Sequence, residues 1–184
     1  MRKMDRIRLT APAPEHESEV WAMRRELLEA RDPDSFAGCA GLEECESYGA
    51  WLERLRLGEN PATVPEGRVP ASVYLALRER DRRVVGVIDL RHHINHPILS
   101  TWGGHIGYIV RPSERGKGYA PQMLRLCVEK ARERGIPRVL VTCHPRNTKS
   151  ERTILRCGGV LENEIAADGG TVRRYWIDTE TASL

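Results

Sequence analysis

The chain is poor in the features that mark several large classes of protein. It has one phenylalanine in 184 residues, and no stretch approaches the roughly 18 uninterrupted apolar residues a membrane-spanning helix needs. The charged first ten residues lack the apolar run of a secretory signal. A cytoplasmic protein with no membrane partner is the expectation. The five cysteines (Cys39, Cys45, Cys127, Cys143 and Cys157) are an odd number with no Cys-x-x-Cys pair. This argues against a secreted disulfide framework and against a zinc ribbon, and favours buried free thiols. An excess of one charge is missing too: 29 basic and 26 acidic side chains leave a net +3. The basic residues are scattered among acidic ones with no basic stripe, so nucleic acid is not an expected partner. Six histidines do not make a metal set. His92 and His93 on one strand point to opposite faces, His96 precedes Pro97 in a turn, and no cysteine or carboxylate joins them at ligand spacing. No metal is expected.

What is present is the composition of a folded domain, 40% apolar and 30% charged, in a length that fits one domain with its own core. Residues 7–9 predict a short strand ahead of Pro12 and Pro14. Over 17–30, Val20, Met23, Leu27 and Ala30 recur at helical spacing. A second helix fits 43–57, with Cys45, Tyr48, Trp51, Leu52 and Leu55 on one face and Gly58 as its stop. Residues 60–70 carry three prolines and read as a loop. Beyond Pro70 the period changes. Apolar runs at 73–77 and 84–90 flank the charged turn Arg80-Asp81-Arg82-Arg83, and 105–110 is a third run. A helix over 119–134 places Ala120, Met123, Leu124, Cys127, Val128 and Ala131 on its apolar face, with Gly135 and Pro137 marking its end. With a strand at 139–143 it makes a β-α-β unit, for which a right-handed crossover is expected. A short helix over 148–157 ends at Gly158-Gly159. A hairpin of 160–165 and 172–177 turns at Asp168-Gly169-Gly170. A mixed-sheet α/β fold is the class.

The most informative segment is Arg111-Pro112-Ser113-Glu114-Arg115-Gly116-Lys117-Gly118-Tyr119-Ala120, which leads from an apolar strand into an amphipathic helix. A helix N-terminus has unpaired N–H groups and a partial positive charge, worth about 0.3–1 kcal/mol to a nearby anion. Glycines let the backbone curl around a phosphate. Arg111, Arg115 and Lys117 add positive charge. Two other phosphate motifs fail: GxxxxGK[ST], because Gly118 follows Lys117, and GxGxxG, because Pro121 stands at the third glycine.

Arg115-x-x-Gly118-x-Ala120 resembles the [RQ]xxGx[GA] pyrophosphate signature of GNAT N-acetyltransferases. Asn147-x-x-Ser150 with Gly158 resembles that family's next element. Val69-Pro70, the segment from Gly103 to Tyr108, and Arg174-Tyr175-Trp176 look like a branch of GNAT-like acetyltransferases of undefined substrate, so the resemblance spans residues 69–177. It implies one domain over 1–184, with a variable helical part at 1–68 and an acetyl-CoA-binding core at 69–178. The central sheet would be mixed and mostly antiparallel, with a splayed parallel strand pair, flanked by helices. The implied reaction moves acetyl from acetyl-CoA to an amine of a small molecule, peptide or protein, by direct attack in a ternary complex. A homodimer is compatible with the resemblance.

In that picture the pyrophosphate sits at Arg115, Gly116, Lys117, Gly118, Tyr119 and Ala120. Backbone groups around Ile109, Val110 and Arg111 hold the pantetheine arm and supply the oxyanion donor, and Asn147 and Ser150 contact the arm. His105 shares a strand face with Gly107 and Ile109 and is the candidate base; packing at a strand start is the competing reading. His92 could line the acceptor pocket or lie on the surface. Cys143 is read as strand packing. Many family members place a tyrosine seven residues after the asparagine to protonate the leaving thiolate, whereas this chain has Ile154. That departure keeps a second function open: a coenzyme A-binding module without turnover.

Overall fold

A computed structural model describes residues 5–32, 36–167 and 169–182. Two antiparallel sheets form its frame. β1 (Ile7–Thr10), β2 (Ala71–Arg78), β3 (Val84–Arg91) and β4 (Ile106–Val110) lie in that order in the first. β5 (Arg138–Cys143), β6 (Val160–Ala167) and β7 (Gly170–Asp178) form the second, in the order β5-β7-β6. Among the described residues four α-helices cover them: α1 (Glu17–Ala30), α2 (Tyr48–Glu59), α3 (Tyr119–Glu133) and α4 (Thr148–Arg156).

The faces follow from strand alternation. Met23, Leu27 and Trp51 of α1 and α2 pack on Leu75, Leu77 and Val87. On the opposite face Met123, Leu124 and Ile154 of α3 and α4 pack on Ile88, Leu90, Ile106, Val139 and Val141. Covered on both sides, β3 is buried from residue 84 to 90, which is why it reads as a nearly continuous apolar run, broken only at Asp89, rather than an alternating one. Each such side chain stabilises the fold by roughly 1.5–3 kcal/mol relative to exposure.

The predicted elements are all present, α1 with its expected bounds and the others with shifted ends. α2 begins at Tyr48, five residues later than its periodicity suggests. The Ser47 side chain accepts the Ala50 N–H at 3.1 Å and caps the helix there, and Leu42–Glu44 ahead of it is a separate 3-10 turn. Leu99–Gly103 forms one π-helical turn that no periodicity announces. The expected hairpin turn includes Asp168, which lies outside the described residues. β4 starts one residue late because His105 turns away towards β5.

Candidate active site

The two sheets meet along β4 and β5, and only at one end. The His105 N–H donates to Leu140 O at 2.8 Å, and the Leu140 N–H donates to Nδ1 of the His105 ring at 2.9 Å. Both residues lie near the starts of their runs. With no further ladder between the strands among the described residues, the pair sets out together and is open towards Val110 and Cys143. On the β3 side, Arg91 N–H bonds His105 O and Arg111 N–H bonds Val85 O, both at 2.8 Å. Alternation therefore turns the backbones of Ile109 and Arg111 to β3, and those of Tyr108 and Val110 into the opening. The expectation placed the arm on Ile109, Val110 and Arg111; of these, Val110 has its backbone turned into the opening, as does Tyr108, while Ile109 and Arg111 face β3.

The loop into α3 has the shape of an anion cradle. Gly116 and Gly118 take φ of 76° and 84°, a left-handed conformation that side chains resist. Gly118 is the N-cap of α3, and no side chain caps that helix. The N–H groups of Gly116, Lys117, Gly118, Tyr119 and Ala120 meet no acceptor among the described residues. The loop's cations, expected on the phosphates, are engaged elsewhere. Arg111 is buried, bonding Glu26 at 2.7 Å and Glu19 at 3.0 Å on α1. Arg115 bonds Val110 O at 3.2 Å and pairs with Asp32. Lys117 bonds Ser113 O and the buried Glu114 carboxylate. Tyr119 is buried, its hydroxyl accepting from Arg78 at 3.2 Å. Burial would raise the Glu26 pKa, but hydrogen bonds from Ser113 and Arg111 outweigh it and hold the carboxyl below its ordinary value. The positive field at this loop thus comes from backbone N–H groups more than from side chains.

His105, the expected base, sits in a place unsuited to taking up a proton. The ring is 5% exposed, and its Nδ1 lone pair receives the Leu140 N–H, so the remaining nitrogen carries the hydrogen. Burial, then the charges of Arg91 and His93, bring its pKa down to about 4. A ring so placed binds a proton poorly and has its basic nitrogen in use. Its work is to close the strand pair.

At the open end the Asn147 side chain accepts the Ser150 N–H at 3.1 Å and caps α4. The Ser150 hydroxyl lies 2.7 Å from the Tyr108 hydroxyl, a link between α4 and β4 beside the opening. Burial pushes the Tyr108 phenol up to about 12. Ile154 is fully buried against Gly159 and the core. Tyr108 was missed because its strand reads as an apolar run; counting alternation from the bond at Arg111 would have found it.

The α1/α2 face lies opposite. Gly38 crosses β4 directly, and a Cβ there would come within 2.3 Å of Gly107 O. The Asp89 carboxylate accepts the Gly107 N–H at 2.8 Å. His92 is joined at its Nε2 to Ser72 at 2.8 Å, and burial lowers its pKa. All five cysteines are buried free thiols, and burial raises the pKa of Cys39, Cys45, Cys127 and Cys157. Among the described residues, no group of three or more His, Cys, Asp or Glu is placed to hold a metal, and no helix is long and apolar enough to cross a membrane.

Comparison with known proteins identifies the family and the fold. A family description, acetyltransferase (GNAT) domain, matches residues 6–160. No curated protein sequence matches significantly. Among solved structures, Mycobacterium smegmatis RimJ in complex with CoA-disulfide is 19% identical over 95% of this chain and 82% of its own, with a TM-score of 0.65. The microcin C7 self-immunity acetyltransferase MccE, in complex with acetyl-CoA and AMP, is 18% identical over 95% and 93%, with a TM-score of 0.63. The GNAT domain of S. lividans PAT is 16% identical over 95% and 90%, with a TM-score of 0.60.

Proposed function

This chain belongs to the GNAT acetyltransferase family, and we propose that it transfers acetyl from acetyl-CoA to an amine by direct attack, both substrates being bound together. The observation carrying this reading is the pairing of a backbone N–H cradle at Gly116–Ala120 with a strand pair pinned shut at one end only. The cradle suits a pyrophosphate, because its backbone donors are unpaired and its glycines leave no Cβ in the way. The opening suits an extended amide chain, because Tyr108 and the Val110 N–H present backbone groups there as a strand edge would, the Val110 carbonyl being held by Arg115. Two solved structures of this fold hold acetyl-CoA or a CoA disulfide.

Acetyl-CoA supplies the activated thioester; the chain's residues bind, orient and screen it. A backbone N–H of Tyr108 or Val110 would receive the carbonyl oxygen as it gains charge. Asp89 steadies the strand from the α1/α2 face through Gly107. Gly38 lets the connection between α1 and α2 lie directly on that face, where an amine would approach. The acceptor is an amine of a small molecule, peptide or protein.

Two measurements test the reading. Acetyl-CoA should raise the melting temperature, since a ligand of the native state stabilises it. Free thiol should then be released steadily when amines are supplied, from polyamines and amino acids to peptides with free N-termini. Binding without thiol release across that panel would favour the coenzyme A-binding module; no binding would overturn both.

A further inference from the structure

Acyl transfer leaves a thiolate in the opening, and Ile154 has no proton to give it. We propose that Tyr108 protonates the departing sulfur, with Ser150 returning the proton to Tyr108 from solvent. The proposal rests on the transfer reading above. Three observations carry it. Tyr108 lies on the strand whose edge faces the opening, so its side chain reaches α4 at the level of Ser150. The two hydroxyls are 2.7 Å apart, and Ser150 is fixed by the Asn147 cap through its own N–H at 3.1 Å. Ser150 is half-buried, which gives the pair a way to water that the buried Ile154 position lacks.

The step balances. The amine nitrogen bonds to the carbonyl carbon, the C–S bond breaks, and its electron pair leaves on sulfur. The Tyr108 O–H bond breaks as an S–H bond forms. The phenolate takes a proton from the Ser150 hydroxyl, and Ser150 takes one from water, while the proton lost by the amine goes to solvent. A phenol held up to about 12 stays protonated throughout the neutral range and is always present as a donor. The same dry surroundings raise the proton affinity of the thiolate, so the transfer is less uphill than free pKa values suggest.

The test compares Tyr108→Phe with the parent protein, using acetyl-CoA and its selenoester analogue. A selenol leaves as the anion and needs no proton. Tyr108→Phe should lower kcat with acetyl-CoA by roughly 10²–10⁴-fold, with acetyl-CoA binding unchanged in a thermal-shift titration. With the selenoester the deficit should largely disappear. Ser150→Ala should give a smaller loss that also shrinks with the selenoester, and it keeps the test usable if Tyr108→Phe fails to fold. Equal losses with both donors would make the pair structural and overturn the proposal, as would full activity in both variants. Where no amine of the panel serves, the protein's hydrolysis of acetyl-CoA reads the same leaving-group step. A parent protein that binds acetyl-CoA but neither transfers nor hydrolyses it removes the transfer reading and the relay together; normal turnover in the variants removes the relay alone.

Discussion

The two ends of the β4–β5 pair have opposite fates. At the closed end an imidazole takes the place of a strand, accepting the Leu140 N–H that a parallel neighbour would otherwise have paired. At the open end Tyr108 and Val110 face an opening, and the helix behind them begins without a cap. One end satisfies its backbone from within; the other is left for a ligand to satisfy. An unpaired donor costs about 1–3 kcal/mol where it is buried, so an opening of this kind is stable only where water or a ligand can reach it. The comparison teaches that the binding edge is defined by where pairing stops, and a single side chain decides where it stops.

If that division is right, substitutions at the two ends should separate binding from stability. The largest effect is expected at the cradle. For the parent protein, coenzyme at 100 times its Kd adds about 2.7 kcal/mol of stability; in Gly118→Val that increment should be absent in a thermal-shift titration, with the fold retained in circular dichroism. Unchanged affinity would remove the loop from the site. Beneath the open end, Ile154→Ala should cost about 2–5 kcal/mol in denaturant unfolding, because a fully buried side chain is lost. It should leave the pH profile of turnover in place, and a shifted profile would show that α4 carries chemistry at this position.

At the closed end the test is pH. The His105 pKa falls from 6.5 to about 4 on folding, so below about 6.5 protons bind the unfolded chain in preference. The neutral buried ring is fully stabilising above about pH 6.5. That stability should drain away as pH falls towards about 4, by about 3 kcal/mol in all. His105→Asn, whose amide oxygen can accept the Leu140 N–H, should lack this slope in acid unfolding curves. An identical slope in the variant would place the titrating group elsewhere. The smallest effect is expected for Arg111→Leu, where coenzyme affinity should change by less than about threefold in a binding titration although the fold is weakened. A large loss of affinity would mean that Arg111 leaves α1 to meet the phosphates.

The sequence carried the elements, their order and the glycine loop plainly, since each is written in local periodicity or turn chemistry. It carried Cys143 as strand packing as well. The partners of charged side chains were hidden. Arg111, Arg115 and Lys117 look like phosphate ligands in sequence, yet their acids lie on α1, at Asp32 and three residues back at Glu114. Only folding brings the first two beside them. The engagement of His105 was hidden in a similar way, because its face is set by alternation but its hydrogen-bond partner lies 35 residues on. Tyr108 was masked by an apolar neighbourhood that hid its hydroxyl.

Arg111 has one more consequence, which concerns modularity. Its guanidinium is buried and reaches Glu19 and Glu26, two turns apart on α1, while Glu26 also accepts the Ser113 N–H at the start of the phosphate loop. The first helix is therefore a buttress for the loop into α3, and on the proposed function also a wall of the acceptor side. Exchanging that helix for a relative's, as one would to graft a new acceptor preference, removes both counter-charges at once. A cation left unpaired inside the protein costs several kcal/mol, so a graft that keeps Glu19 and Glu26 should preserve coenzyme binding, and one that discards them should lose the loop with the helix.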